Sequence, residues 1–563
     1  MQHRTRKIKI VTLLLVLAVL FVSACSKSNN ESKPTASGGT STPASTGAAS
    51  KEPANKGPFS KFDPPIELKT GRNTEGMKFE EGRSIDDNQY YDAYRDQLGI
   101  KVKNEWVVSN GEGYQNKLNV SIASGSIPDL LVVNGAQLRS MIEADMVADL
   151  TDVYNKRASE NTKKMMMADG GVAMKAATYG GKLYGLPITA SAIDSVGVLW
   201  IRDDWLKKLN LNPPQTIQDV VTIAQAFKDS DPTGKTVGFG MSKELQSMGS
   251  PNIGKLLNAF HAYPDSWVKG SDGKLVYGST LPEMKKGLAL LAEMNKKGLM
   301  DKEFGVKDVT KVIETISAGK LGLFFGDMAA PLYAINGSKK NDPNAEWSAY
   351  PIPSADGQPA LVEMGGLADQ YHVIRKGYKH PEAVVELMNF WIEKNWINPD
   401  APLSRNEKTG IMYYPYGLVT SSPPTKNLDA HLEIADALAT GNESKMSTES
   451  KYYLDKIKKW KNDKSDVGDW GLDRVFGVNK SSMEVIQKMK QNNQLHMSGF
   501  LGGSTPAMAE KFASLRKMEQ VMVMKIILGS AGLEEFDKFV SDWYKQGGDQ
   551  ITKEVNDWYE KSK

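Results

Sequence analysis

From Ile66 onward, apolar runs of two-residue period alternate with amphipathic stretches of helical period, and few architectures other than a layered α/β fold accommodate that order. Tyr91, Tyr94 and Leu98 share one face of a helix predicted over 86–98, which stops at Gly99. Ile100, Val102, Trp106 and Val108 then alternate as in a strand. Tyr114, Leu118 and Ile122 mark a second helix ending at Gly125. Pro128 breaks it, and Asp129 to Asn134 reads as a buried strand with polar Asn134 at its end. A glycine-bounded turn, Gly180 to Pro187, leads into a strand over 196–201. Thr216 and Asp219 have the spacing of a capped helix start, with Ile217, Val220, Ala224 and Phe227 as its apolar stripe. Gly319 to Asp327 is a short apolar strand ending in an acid, and Pro351 to Gly357 is a turn. A helix opening at Pro381 turns Val384, Leu387, Met388 and Trp391 inward, and the last third is mainly helical. The alternation predicts a parallel sheet. Ligands of such sheets sit outside the carboxyl ends of the strands, where Asn134 stands.

At 563 residues the chain exceeds one ordinary core, so two or more lobes are expected. Cys25 is the only cysteine, so no internal disulfide is available and burial must hold the fold. The formal net charge of +3 includes four positive residues before position 10; without them the chain is close to −1. Lysines interleave with acids as on a solvated surface, and no basic patch of nucleic-acid type stands out.

Arg4, Arg6, Lys7 and Lys9, the apolar run Ile10 to Val22, and Val22-Ser-Ala-Cys25 have the parts of a secretory signal. The run is about a dozen residues, short of the roughly 20 a spanning helix needs. Val-Ser-Ala-Cys resembles a bacterial lipobox, which implies cleavage before Cys25 and acylation of its sulfur. Ser26 to about Lys61 is rich in Ser, Thr, Ala, Gly, Pro and Asn and reads as a flexible tether.

Catalytic signatures do not emerge. There is no His-Glu-x-x-His, no cysteine pair and no Gly-x-Ser-x-Gly elbow. Gly234-Lys-Thr236 resembles the tail of a phosphate loop, but Asp229 stands where its glycine is needed. Spacing alone does not set two carboxylates face to face, so a glycosidase pair has no support. Asp229 to Gly234 is a fragment of a calcium loop without its third ligand or terminal Glu, and reads as a polar turn. No cofactor is called for. The 11 Trp and 20 Tyr matter more, because flat rings with a polar handle suit sugar faces. Trp391 and Trp543 lie on helical stripes and read as core. Tyr414, within Tyr413-Tyr-Pro-Tyr416, and Trp470, within Gly468-Asp-Trp-Gly471, have loop-like surroundings and are the aromatic candidates.

Taken in order, several segments resemble bacterial extracellular solute-binding proteins of the carbohydrate-uptake type. They are Ile122-Ala-Ser-Gly-Ser-Ile-Pro-Asp129, Val133-Asn-Gly-Ala-Gln137, Met146-Val-Ala-Asp-Leu-Thr151, Gly181-Lys-Leu-Tyr-Gly-Leu-Pro187 and Leu199-Trp-Ile-Arg-Asp-Asp-Trp205. Gly319–Asp327, Trp470–Gly477, Gly502-Gly-Ser-Thr-Pro-Ala-Met508 and Ile551–Tyr559 continue the likeness, which covers Ile66–Lys563. It implies a two-lobed, periplasmic-binding-protein-like α/β fold with a hinge and a ligand cleft between lobes. Mapped here, 1–24 is the signal peptide, 25–65 the acylated cysteine and linker, 66–187 plus 328–366 lobe 1, and 188–327 plus 367–563 lobe 2. The resemblance implies a monomeric, non-catalytic receptor. It would be anchored to the cell membrane through Cys25 and hand a carbohydrate to the permease of an ABC transporter. Asn73, Asn134, Tyr184 and Asp327, at strand ends or crossings, are the polar cleft candidates, beside Tyr414 and Trp470. The loop near Asp231 is shorter than the acidic, calcium-like loop of many relatives. The same fold with a peptide or other solute as ligand, and an anchored glycan-cleaving enzyme, are the competing readings.

Overall fold

β1 (Ile66–Asn73) lies between β2 (Ile100–Val108) and β3 (Leu130–Asn134) and runs parallel to both. The structure is a computed structural model and describes residues 57–244, 251–365, 368, 370–399, 401–406 and 408–562, all within one compact unit. Local chemistry sets the first elements. The Asn88 side chain accepts from the amides of Tyr90 and Tyr91 and starts α1 (Gln89–Ala93), three residues later than predicted. The chain continues in a wider turn over Tyr94–Leu98 and stops at Gly99, at φ 70°. A Cβ at Gly99 would stand 2.3 Å from the Phe62 carbonyl oxygen, so glycine is needed there for space as well as for φ. Asn110 caps α2 (Gly111–Ser124), and Gly125 closes it. α3 (Gly135–Glu143) follows β3 directly.

After β4 (Leu186–Pro187) the chain passes into a second core built on β5 (Val198–Arg202). Thr216 and Asp219 form a reciprocal capping box at the start of α4 (Ile217–Asp229), whose predicted apolar stripe is buried. β6 (Leu323–Gly326) and β7 (Trp347–Tyr350) flank β5, each antiparallel to it. The chain then returns to the first core. β8 (Gln370–Ile374) pairs antiparallel with β3 and β4, giving the strand order β2-β1-β3-β8-β4. α5 (Ala383–Ile392) is buried along its whole length against this sheet's core. From Leu428 the chain is again in the second core, through α6 (Lys426–Thr440), α7 (Thr448–Asp463), α8 (Val467–Phe476) and α9 (Pro506–Ile527). Among the described residues, no helix is long and apolar enough to cross a membrane.

Two expectations need correction. The sheet is parallel only across β1, β2 and β3, because β8 enters the first core from the end at which β3 leaves off and must run against it. The segments 328–366 and 367–419 are also exchanged relative to the predicted lobes. Trp347, Ala349 and Val362 pack in the second core, while Tyr371, Phe390, Trp391 and Val419 pack in the first. Strand pairing decides this: β7 completes the sheet around β5, and β8 completes the sheet beside β3.

The registers also place the crossings. Gln370 opposes Asn134, and Pro187 opposes Tyr371, so chain enters and leaves the first core at the carboxyl end of β3. Gly326 opposes Val198, so Asp327 emerges from β6 at the end where the chain enters the second core.

Candidate functional site

The carboxyl end of β1 and the first three residues of β3, Leu130 to Val132, floor a cavity of about 320 Å³ beside these crossings. A β-bulge between Thr70 and Gly71 resets β1 just before it. Gly71 has no room for a side chain, since a Cβ would lie 2.1 Å from the Trp106 ring. The next residue, Arg72, is only 8% exposed and lines the cavity. Its Nη2 donates to the Pro415 carbonyl at 3.0 Å and its Nη1 to the Tyr416 carbonyl at 3.3 Å. Tyr114 reaches across from α2 and donates its hydroxyl to the Val132 carbonyl at 3.1 Å; burial raises its pKa. His372, on β8, meets the backbone of Thr420 through Nε2, 3.0 Å from the Thr420 amide nitrogen and 3.1 Å from its carbonyl oxygen. Nδ1 is buried without a hydrogen-bond partner among the described residues. Burial, opposed by the Thr420 contact and reinforced by the Arg72 charge, pushes His372 down to about 4, so it is neutral at pH 7.

Polar side chains tie the crossing segments together. Ser422 donates its amide to the Thr189 carbonyl at 2.9 Å, and the hydroxyls of Thr189 and Ser421 are in direct contact. The indoles of Trp391 and Trp396 both donate to the Ser421 carbonyl, at 2.7 and 2.8 Å. The Gly365 amide donates to the Ser195 hydroxyl at 2.6 Å. Asp194 accepts from the Ser191 hydroxyl at 2.9 Å and from the Asn427 amide at 2.5 Å. Its pKa is pushed up to about 6, because burial outweighs those two bonds.

The facing end of the second core is also polar. Asp327 accepts from the Ala329 amide at 2.9 Å and the Tyr333 hydroxyl at 2.7 Å, and its carbonyl accepts the Trp200 indole at 2.9 Å. Lys255 donates to the Glu363 carbonyl at 3.1 Å. Burial raises the pKa of Asp327 and Glu363 and lowers that of Lys255, and the three charges influence one another. Such a wall presents acceptors and a cation.

The predicted residues are distributed as follows. Asn73 lines the cavity, and its carbonyl-type Oδ1 accepts the Glu75 amide at 2.9 Å. Asn134 ends β3 beside Gln370, but its side chain caps α3 by accepting the Gln137 amide at 2.8 Å. Tyr184 is half-buried against the first core. Asp327 stands on the second-core wall. Tyr414 is 52% exposed on a short turn and lies close enough to Tyr453 of α7 to influence its ionisation. Nearby, the Arg405 guanidinium stacks on the Tyr452 ring of α7 at 3.5 Å. The Trp470 expectation is corrected. It sits within α8, is 2% exposed, and belongs to the second core, where a sugar ring has no access. The glycines around it suggest a loop, but Gly471 is there because the Pro331 carbonyl oxygen would lie 2.8 Å from a Cβ. Cys25 lies outside the described residues.

Sequence reasoning missed Arg72, Tyr114, His372, Lys255 and Asp194. Arg72 directly precedes Asn73, so a reading of that strand end as a pair would have found it; the others carry no local signal. At the calcium-like fragment, Asp231 accepts from the amides of Thr233, Lys235 and Thr236 and from the Thr233 and Thr236 hydroxyls at 2.7–3.0 Å. Asp229 accepts instead from Gln225. Among the described residues, no group of three or more His, Cys, Asp or Glu could hold a metal ion.

Comparison with known proteins places this geometry in a family. The family model described as bacterial extracellular solute-binding protein matches residues 83–396. The polygalacturonan/rhamnogalacturonan-binding protein YtcQ of Bacillus subtilis is 27% identical over 219 residues, 38% of this chain and 42% of that protein. The fructooligosaccharide ABC transporter substrate-binding protein FusA of Streptococcus pneumoniae is 26% identical over 313 residues, 52% of this chain and 54% of that protein. The chain thus spans about half the length of the curated relatives it matches. Among solved structures, an HMO-binding solute-binding protein associated with an ABC transporter, from Bifidobacterium longum infantis, superposes with a TM-score of 0.61 at 15% identity, covering 88% of this chain and 98% of that one. The shared fold is periplasmic-binding-protein-like.

Proposed function

Because the chain belongs to the bacterial extracellular solute-binding proteins, we propose that it is a receptor that captures a carbohydrate, an oligosaccharide in particular, and delivers it to the permease of an ABC transporter. The observation that carries this reading is the pairing of a cavity at the strand ends of the first core with the polar wall around Asp327 in the second, beside the tied crossings. The relatives YtcQ and FusA are named for the sugars they bind, which agrees with it. A ligand touching both cores favours the state in which they approach, because only there are both sets of contacts made. Asn73 and Asp327 would take hydroxyl groups from opposite sides, and Tyr414 would offer a ring face. Nothing in this scheme calls for a bond to be made or broken.

A thermal-shift screen over oligosaccharides and peptides tests the reading. A true ligand at 100 times its Kd should stabilise the protein by about 2.7 kcal/mol, with no change in the ligand. Release of new reducing ends by the pure protein would replace the receptor with a glycan-cleaving enzyme. Stabilisation by peptides alone would replace the sugar.

The leader and Cys25 support anchoring at the outer face of the cell membrane through acyl chains, with the chain between Cys25 and residue 57, where contacts with the first core begin, as the tether. Tethering holds the receptor near its permease at high effective concentration. Cys25→Ser is expected to leave sugar binding unchanged and to abolish acylation, shifting the protein to the medium or leaving it unprocessed. Detergent-phase partitioning and labelled-palmitate incorporation check this, and a variant still acylated at the membrane would sink the lipobox reading.

A further inference from the structure

Arg72 is the single Arg, Lys, Asp or Glu among the residues lining the 320 Å³ cavity. The rest are polar or apolar groups such as Asn73, Tyr114, Gln370, His372 and Thr420. No carboxylate stands within ion-pair distance of Arg72 among the described residues, and its guanidinium donates to the carbonyls of Pro415 and Tyr416. The acids of the second-core wall, Asp194, Asp327 and Glu363, do not line this cavity. A guanidinium taken almost wholly out of water and left without a counter-charge is unfavourable, and a protein that keeps one there leaves a place for an anion. His372, 1% exposed, adds a second unfilled valence at the same cavity, a buried Nδ1 with no hydrogen-bond partner among the described residues.

We propose that this cavity selects a sugar carrying a carboxylate, a uronosyl residue, which the Arg72 guanidinium holds by charge and by the N–H groups that Pro415 and Tyr416 do not engage. The proposal rests on the carbohydrate reading above and adds the class of sugar. A single cation with neutral donors around it matches a monoanion rather than a dianionic phosphate. The two coplanar oxygens of a carboxylate fit the guanidinium fork better than a sulfate ester does. The remaining lining groups would take the hydroxyls of the same ring.

The test is calorimetric titration of the intact protein with uronate trisaccharides of several linkages, each paired with its methyl ester, and with neutral and sulfated trisaccharides. At least one uronate is expected to bind about 30-fold or more tighter than its own methyl ester, the change that follows when a buried charge pair loses one partner. Arg72→Gln is expected to remove that preference, and Arg72→Lys to keep part of it, with the melting profiles of both variants reported alongside. Because the wild-type comparison of acid with ester needs no variant, a poorly folding Arg72→Gln leaves the test intact. Equal or tighter binding of esters, neutral sugars or sulfated sugars overturns the uronate assignment and leaves the carbohydrate receptor standing. If no sugar binds while a peptide does, or no sugar binds at all, the carbohydrate reading fails and the uronate assignment falls with it.

Discussion

Trp470→Ala should lower the stability of the second core by about 3–5 kcal/mol and leave ligand affinity unchanged, whereas Tyr414→Ala should do the reverse. Trp470 is 2% exposed, with the Lys339 ammonium 5.7 Å from its ring and the Pro331 backbone packed against the neighbouring Gly471. Truncating it opens a large cavity that α8 cannot collapse, because its contacts with the segment after Asp327 are already close. Tyr414 is 52% exposed, so its removal should change stability by less than about 0.5 kcal/mol. If it stacks on a sugar, affinity should fall about 10-fold, ~1.4 kcal/mol. Urea unfolding and calorimetric titration of both variants decide the matter. An unchanged midpoint for Trp470→Ala would refute the core assignment, and an unchanged Kd for Tyr414→Ala would remove it from the binding surface.

The second large effect is a pH dependence held nearly level by two opposed groups. His372 titrates at about 4 in the folded protein against about 6.5 when unfolded. Between those values the unfolded chain binds more protons, so His372 makes stability rise with pH; its contribution is present above about 6.5 and lost as pH falls through about 4. Asp194 titrates at about 6 against an ordinary 3.8. The folded protein binds more protons there, so stability from Asp194 is present below 3.8 and lost as pH rises through about 6. Between pH 7 and pH 4, His372 should cost about 3 kcal/mol and Asp194 should return about 2 kcal/mol. His372→Gln should therefore gain on the wild type towards acid, and Asp194→Asn should lose on it. Denaturant titrations at pH 7, 5.5 and 4 measure both differences. Parallel curves for either variant would show that its group titrates alike in both states.

The residues read most directly from the chain are those whose partners lie within one turn. Gly99, Gly125 and the Thr216–Asp219 capping box do in the structure what their spacing predicts, because a cap needs only donors and acceptors three or four residues away. Asp129 to Asn134 reads as a strand for the same local reason, and the family motifs follow from order along the chain. Strand partners are a different matter. β8 could have completed either sheet on its apolar pattern, and only packing put it beside β3, which moved 367–419 into the first core. Trp470 looks like a loop aromatic because glycine signals both a turn and a close helix approach, and the Pro331 carbonyl that distinguishes them is about 140 residues away in sequence.

Arg72 makes the same point at the cavity. As a letter beside Asn73 it is one basic residue among many. Its burial, and the lack of a carboxylate beside it, exist only once a bulge in β1 and the turn at Pro415–Tyr416 enclose it. Local periodicity, caps and the order of motifs are properties of neighbouring residues and survive in the chain as written. Which charge is left unpaired is a property of segments brought together from more than 340 positions apart, and desolvation, which gives that charge its meaning, begins only when they meet.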